Sequence, residues 1–187
     1  MDIIDPLSDP AGARYSRVAV IFHWLIALLI VANVAGAWLS EDMAKPDRAA
    51  IMALHKASGI VILLLTLARI GWRLAHKPPP VVETLKAWEA ALARVTHWLF
   101  YFLMLALPLT GWAMVSGRGK PISIYGLFAM PALPVGPDKA TSGMFREMHE
   151  VLGNLIVALF VLHVAGALKH QFFDRDATMR RMVPFLK

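Results

Sequence analysis

The sequence predicts an all-α fold, a transmembrane antiparallel four-helix bundle, on three observations. First, the 187 residues are 58% hydrophobic with a mean hydropathy of +0.57, too apolar for an ordinary water-soluble domain of this size. Second, the apolar residues gather into four segments, about Arg17–Leu39, Ile51–Leu74, Arg94–Val115 and Met144–Gln171, each near the twenty or so residues that cross a bilayer. A backbone in lipid must satisfy its own hydrogen bonds, so spans of this length are helices. Third, Lys and Arg divide by side. The N-terminus, the 2–3 connection and the C-terminus hold twelve of the nineteen, among them Arg14, Arg17, Arg69, Arg73, Arg180 and Lys187, and the other two connections hold seven. That bias predicts both termini in the cytoplasm and one membrane domain over residues 1–187. The net charge of +6 is then a matter of topology and contact with the lipid bilayer, not a nucleic-acid footprint.

The chain opens Met1-Asp-Ile-Ile-Asp-Pro with Asp9 following. This lacks the basic start of a signal peptide, so no cleaved leader is expected. The first helix carries His23-Trp24 about six residues inside its cytoplasmic end, and Trp38 marks the far interface. Residues 40–48 form a polar turn. The second helix opens with Leu54-His55-x-x-x-Gly59 near its outer end. Its only charge-free run is 57–68, with Lys56 and Arg69 placed near the ends, where they can snorkel. Lys77-Pro-Pro-Pro80 is a stiff polyproline segment, and Trp88 is expected to begin an interfacial helix before the third span. The third span opens His97-Trp98 and contains Pro108 and Gly111, which predict a kink. The connection 117–143 is the longest, rich in Gly and Pro, with its own apolar residues Ile124, Tyr125, Leu127 and Phe128; it is expected to fold down as an outer lid.

The fourth helix carries the most informative spacing. His149 and His163 are fourteen residues apart, which returns to within about 40° of the same face after a climb of roughly 21 Å. Polar side chains inside a span are costly, so two on one face point to something bound in the bundle. Depth pairs them with the other helices: His23 shares the cytoplasmic level of His163, and His55 shares the outer level of His149. Gly59 and Gly153 each follow an outer histidine by four residues and clear the same face one turn later, as a flat macrocycle edge would need. Two imidazoles facing each other across a bundle core hold a haem iron, here twice. There are no cysteines, which excludes disulfides, thiolate metal sites, iron–sulfur clusters and covalent haem attachment. Packing histidines, and a zinc or copper transporter that binds metal through imidazole, are the competing readings. A transporter would want midplane carboxylates, where this chain has only Asn33 and Asn154. Of the remaining histidines, His76 is expected in solvent, and His97 to pack or support a haem propionate.

Arg14-Tyr15-Ser16-Arg17 leading to His23-Trp24, Leu54-His55-x-x-x-Gly59, Leu107-Pro-Leu-Thr-Gly-Trp112, His149-Glu150, and Leu168-Lys-His170 running to Asp176 and Arg180-Arg-Met182 together resemble the bacterial cytochrome b561 family from about residue 14 to 182. The resemblance implies a multi-pass inner-membrane protein holding two b-type haems, with His23 and His163 as one axial pair and His55 and His149 as the other, and with 117–143 in the periplasm. It also implies quinone-linked electron transport with superoxide as a donor. Gln171 departs from the pattern, a second consecutive histidine being familiar there.

The implied function is an oxidoreductase carrying electrons across the membrane from a periplasmic donor, superoxide, to ubiquinone. The alternatives are a cytochrome b anchor subunit that docks a dehydrogenase or hydrogenase, and the transporter. For the quinone, His170 lies seven residues past His163, about 20° off its face and roughly 10 Å deeper, where a side chain that titrates near neutrality can hand over protons. Lys86 is placed on the same side by topology and would polarise the second carbonyl. For the small anionic donor, Arg118 and Lys120 stand among the outer cations as steering charges, with haem propionates as their other natural partners.

Overall fold

Three of the four helices start at a hydrogen bond between a side chain and a nearby backbone amide. In the computed structural model, which describes residues 14–80 and 86–183, Ser16 caps α1 (Arg17–Leu39) by accepting the Ala19 N–H at 3.3 Å. The first residues of the chain and Lys187 lie outside the described residues. α2 (Lys45–Ala75) begins six residues before its predicted apolar run, with Pro46 in the first turn and Asp47 beside the positive end of the helix dipole. α3 (Ala87–Ser116) starts seven residues early and absorbs Trp88, so among the described residues no separate interfacial helix precedes the third span. Its start is fixed by the Lys86 N–H, which donates to Glu89 Oε2 at 3.1 Å. Pro108 sits inside α3, and Thr110 Oγ1 there donates to the carbonyls of Ala106 and Leu107, both at 2.9 Å.

Asp138 caps α4 (Lys139–Lys169), accepting from the Thr141 N–H at 2.8 Å and its hydroxyl at 2.9 Å. α4 runs into a π-helical turn over His170–Asp174, ended by Arg175 in the left-handed region at φ 54°. All four helices are long and apolar enough to cross a membrane. α1 packs beside α2, α2 beside α3 and α3 beside α4, whereas α4 stands back from α1 and α2.

The core divides in two. Ile26, Ile62, Leu103, Met104, Ile156 and Leu159 pack together around the middle of the bundle. A second cluster, Ala57, Ile60 and Val115, is roofed by Ile122 and Ile124. These two isoleucines belong to an antiparallel hairpin of β1 (Ile122–Ile124) and β2 (Phe128–Met130), with Ile124 opposite Phe128. The hairpin therefore folds down, but of the four residues expected to carry this only Ile124 turns inward, joined by Ile122. Strand alternation sends Ile122 and Ile124 inward, while Tyr125, Leu127 and Phe128 are exposed. Tyr125 and Gly126 both take positive φ in the turn, and the Tyr125 hydroxyl lies 3.1 Å from Ser58 Oγ on α2. On the opposite side, Trp24 Nε1 donates to the Met182 carbonyl at 2.9 Å and Trp72 Nε1 to Ser16 Oγ at 3.2 Å, which ties the C-terminal segment to α1 and α1 to α2.

Candidate functional site

Two pairs of imidazoles face each other across the gap between α4 and its neighbours. On the hairpin side, the rings of His55 (α2) and His149 (α4) have centroids 6.1 Å apart at 74°. On the C-terminal side, His23 (α1) and His163 (α4) are 6.3 Å apart at 65°. A metal–imidazole bond is about 2 Å and each ring adds about 1 Å to its centre, so one iron between two imidazoles sets the centroids about 6 Å apart. Both pairs have that spacing. Among the described residues the hairpin-side level supplies two imidazoles, and on the C-terminal side His97 stands beside the pair as a third. A tetrahedral zinc ion would want four, whereas a haem iron brings four nitrogens of its own.

The hairpin-side rings are oriented from behind. His149 Nδ1 lies 3.0 Å from the Leu107 carbonyl and 3.2 Å from Thr110 Oγ1, and His55 Nδ1 lies 3.2 Å from the Asn33 carbonyl. An Nδ1–H donated to a carbonyl leaves the Nε2 lone pair free for a metal. Gly111 lets α4 come this close: a Cβ there would sit 3.2 Å from His149 Cε1. At Gly59 and Gly153 a Cβ would meet nothing within 4 Å, so open space lies one turn from each of these histidines. A cavity of about 230 Å³ bordered by Asn33, Gly36, His55 and Ser58 adjoins the same level. The residues present fit a macrocycle here.

The C-terminal-side pair is surrounded by rings. His97 packs edge-on to His163 with centroids 5.8 Å apart, Phe100 does so at 5.3 Å, and Trp24 stands 5.4 Å from His23. Arg69 and Arg73 both lie over the Tyr101 ring, at 5.6 and 5.8 Å. His76 is exposed, as expected, and stacks on Trp72 at 3.7 Å.

The outlying candidates fall at the two ends. His170 opens the π-helical turn, where its Nδ1 lies 2.8 Å from Asp176 Oδ2 and 3.0 Å from Asp174 Oδ2. Lys86, Glu89, Asp174 and Asp176 line one cavity of about 240 Å³, so the structure brings Lys86 to the same end of the bundle as the His170 cluster. Arg118 donates from Nε to Ser142 Oγ at 3.1 Å beyond the end of α3, and Lys120 is exposed beside it in sequence.

Sequence reasoning missed what stands behind the rings. Asn33 and Leu107 act through backbone carbonyls, which no side chain advertises. Thr110, a hydroxyl in an otherwise apolar run, is a legible signal. Gly111, expected only as part of a kink, proves to be a point of close approach. Asp176 stands in the quoted motif without a role, and Asp174 is not singled out; the π-helical turn is what brings both to His170.

A family model described as prokaryotic cytochrome b561 matches residues 14–185. The chain is 32% identical over 173 residues to cytochrome b561 homolog 2 of Escherichia coli K12, covering 91% of each protein. It is 30% identical over 171 residues to the probable superoxide oxidase CybB of Yersinia pestis, covering 91% of this chain and 96% of that one. It is also 27% identical to cytochrome b562 of Cereibacter sphaeroides, covering 90% and 94%.

Proposed function

We propose a function from one premise: the chain belongs to the prokaryotic cytochrome b561 family. It is accordingly a membrane-embedded b-type cytochrome with two haems b, and its work is electron transfer. Our reading goes further, to a quinone-linked oxidoreductase of the bacterial inner membrane that takes electrons from superoxide on the hairpin side and passes them to ubiquinone on the C-terminal side. In this reading both termini are cytoplasmic and residues 117–143 are periplasmic. A relative of similar length is named a probable superoxide oxidase, which supports the donor.

The observation that carries the reading is the pair of imidazole spacings, 6.1 and 6.3 Å, built on two α4 histidines fourteen residues apart. When bound, the haems supply reversible one-electron oxidation and reduction at each level. His55 with His149, and His23 with His163, would fill both axial positions, which leaves no place for oxygen to bind and favours exchange at the haem edge. The Asn33 and Leu107 carbonyls hold the hairpin-side rings in register. His170 and Lys86 would receive the two quinone oxygens at the other end, where an apolar quinone arrives from the lipid.

The test uses the purified chain. Its reduced spectrum should show b-type haem bands, and it should reduce ubiquinone when superoxide is generated beside it. Haem without quinone reduction would favour an anchor subunit that needs a docked redox protein, and a chain that binds no haem would favour the metal transporter.

A further inference from the structure

Reducing a quinone to a quinol takes two electrons, arriving singly from two one-electron donors, and two protons from water. If ubiquinone is reduced beside His170, as proposed for this chain, the groups around that imidazole control the protons. The π-helical turn and the reversal at Arg175 bring Asp176 back to His170, whose carbonyl accepts the Asp176 N–H at 3.2 Å. The two carboxylates then hold one imidazole nitrogen, with Asp174 Oδ2 at 3.0 Å and Asp176 Oδ2 at 2.8 Å from Nδ1. Their side chains grade inward from water: Asp174 is 34% exposed, His170 15% and Asp176 6%.

The other charged groups here are Lys169 beside His170, and Lys86 and Glu89 at the start of α3. Lys169 Nζ is held between Glu89 Oε1 at 2.9 Å and Asp174 Oδ2 at 2.5 Å. Its ammonium engages the Asp174 carboxylate, so a hydrogen-bonded network with a cation of the chain's own ties the cluster together. Burial alone would raise the Asp176 carboxyl, but hydrogen bonds from Thr178 and His170 outweigh it and hold Asp176 below the usual carboxylate range.

We infer that Asp174 and Asp176 are positioning residues that make His170 the proton donor of the quinone-reducing site. Asp176 accepts the Nδ1–H and so turns Nε2 into the free, donating nitrogen. As the two electrons arrive singly, the His170 Nε2–H bond breaks and an O–H bond forms on the quinone oxygen facing it, water reprotonates the ring, and the second oxygen takes its proton from water on the Lys86 side; the quinone is reduced and two donors are oxidised.

The test measures ubiquinone reduction by the haem-loaded protein, with haem reduction by the donor as a separate readout. D176N puts in place of the accepting carboxylate an amide that can turn its own N–H to Nδ1, so Nε2 is no longer held as the donating nitrogen. Quinone turnover in D176N should drop about tenfold, while haem reduction by the donor persists and D176E restores the turnover. If D176N loses its haem bands, D174N, on a more exposed group, carries the same expectation. Unchanged quinone turnover in D176N or D174N, with H170A inactive toward quinone, overturns the inference and leaves the quinone site standing. Full quinone turnover in H170A overturns the site itself.

Discussion

At the scale of single residues, spacing along α4 says which histidines share a face, and the atoms behind the rings say what that face is for. The proposed pairing makes a direct prediction: H149A should lose the hairpin-side haem and H163A the other, each leaving about one haem per chain by extraction and counting. Two haems surviving in either variant would end the pairing. A finer prediction concerns Gly111. A Cβ 3.2 Å from His149 Cε1 forces the ring to give by a few tenths of an ångström, so G111A should keep both haems yet shift the potential of the hairpin-side centre alone. An equal shift at both centres would show that the effect is not local. The histidine levels were legible because polar groups are rare in lipid and the helical repeat is fixed. The carbonyls of Asn33 and Leu107 were not, because every residue has one and only the fold decides which stands behind an imidazole.

At the scale of elements, apolar runs mark the lipid-crossing part of each helix and not the helix. α2 and α3 extend six and seven residues past their expected starts, since Pro46, Asp47 and Glu89 are good first-turn residues and water solvates their side chains. The hairpin was hidden for another reason: strands of three residues are too short to show an alternation. Its docking rests on Ile122 and Ile124, which cover Ala57, Ile60 and Val115. Ile124→Asp should therefore cost about 2 kcal/mol or more and raise amide exchange across residues 122–130 while the spans stay protected. Protection unchanged in the hairpin would mean that Tyr125 and Ser58, not the isoleucines, hold it down.

At the scale of the whole molecule, the cations on the hairpin side, Lys45, Arg48, Lys56, Arg118, Lys120, Lys139 and Arg146, form the field that an anionic donor would meet. Arg146 is already paired with Glu150 at 2.8 Å, so the field is weaker than seven charges would give, whereas Arg118 keeps its full charge while donating to the neutral Ser142 hydroxyl. Superoxide oxidation should still slow as salt rises, and K120E should lower the rate at low salt by a few-fold with quinone affinity unchanged. A rate indifferent to ionic strength would rule out steering. α4 carries one histidine of each pair and stands back from α1 and α2, which ties the two centres mechanically. In the proposed pairing, a tilt or slide of this single rod would change ligand geometry at both ends together, as a crankshaft moves both its pistons. The potential of one centre would then be retuned alone from α1, α2 or α3. Substitutions that reposition α4 therefore trade one centre against the other, and the independent degrees of freedom of this electron path lie in the helices that hold a single ligand or none.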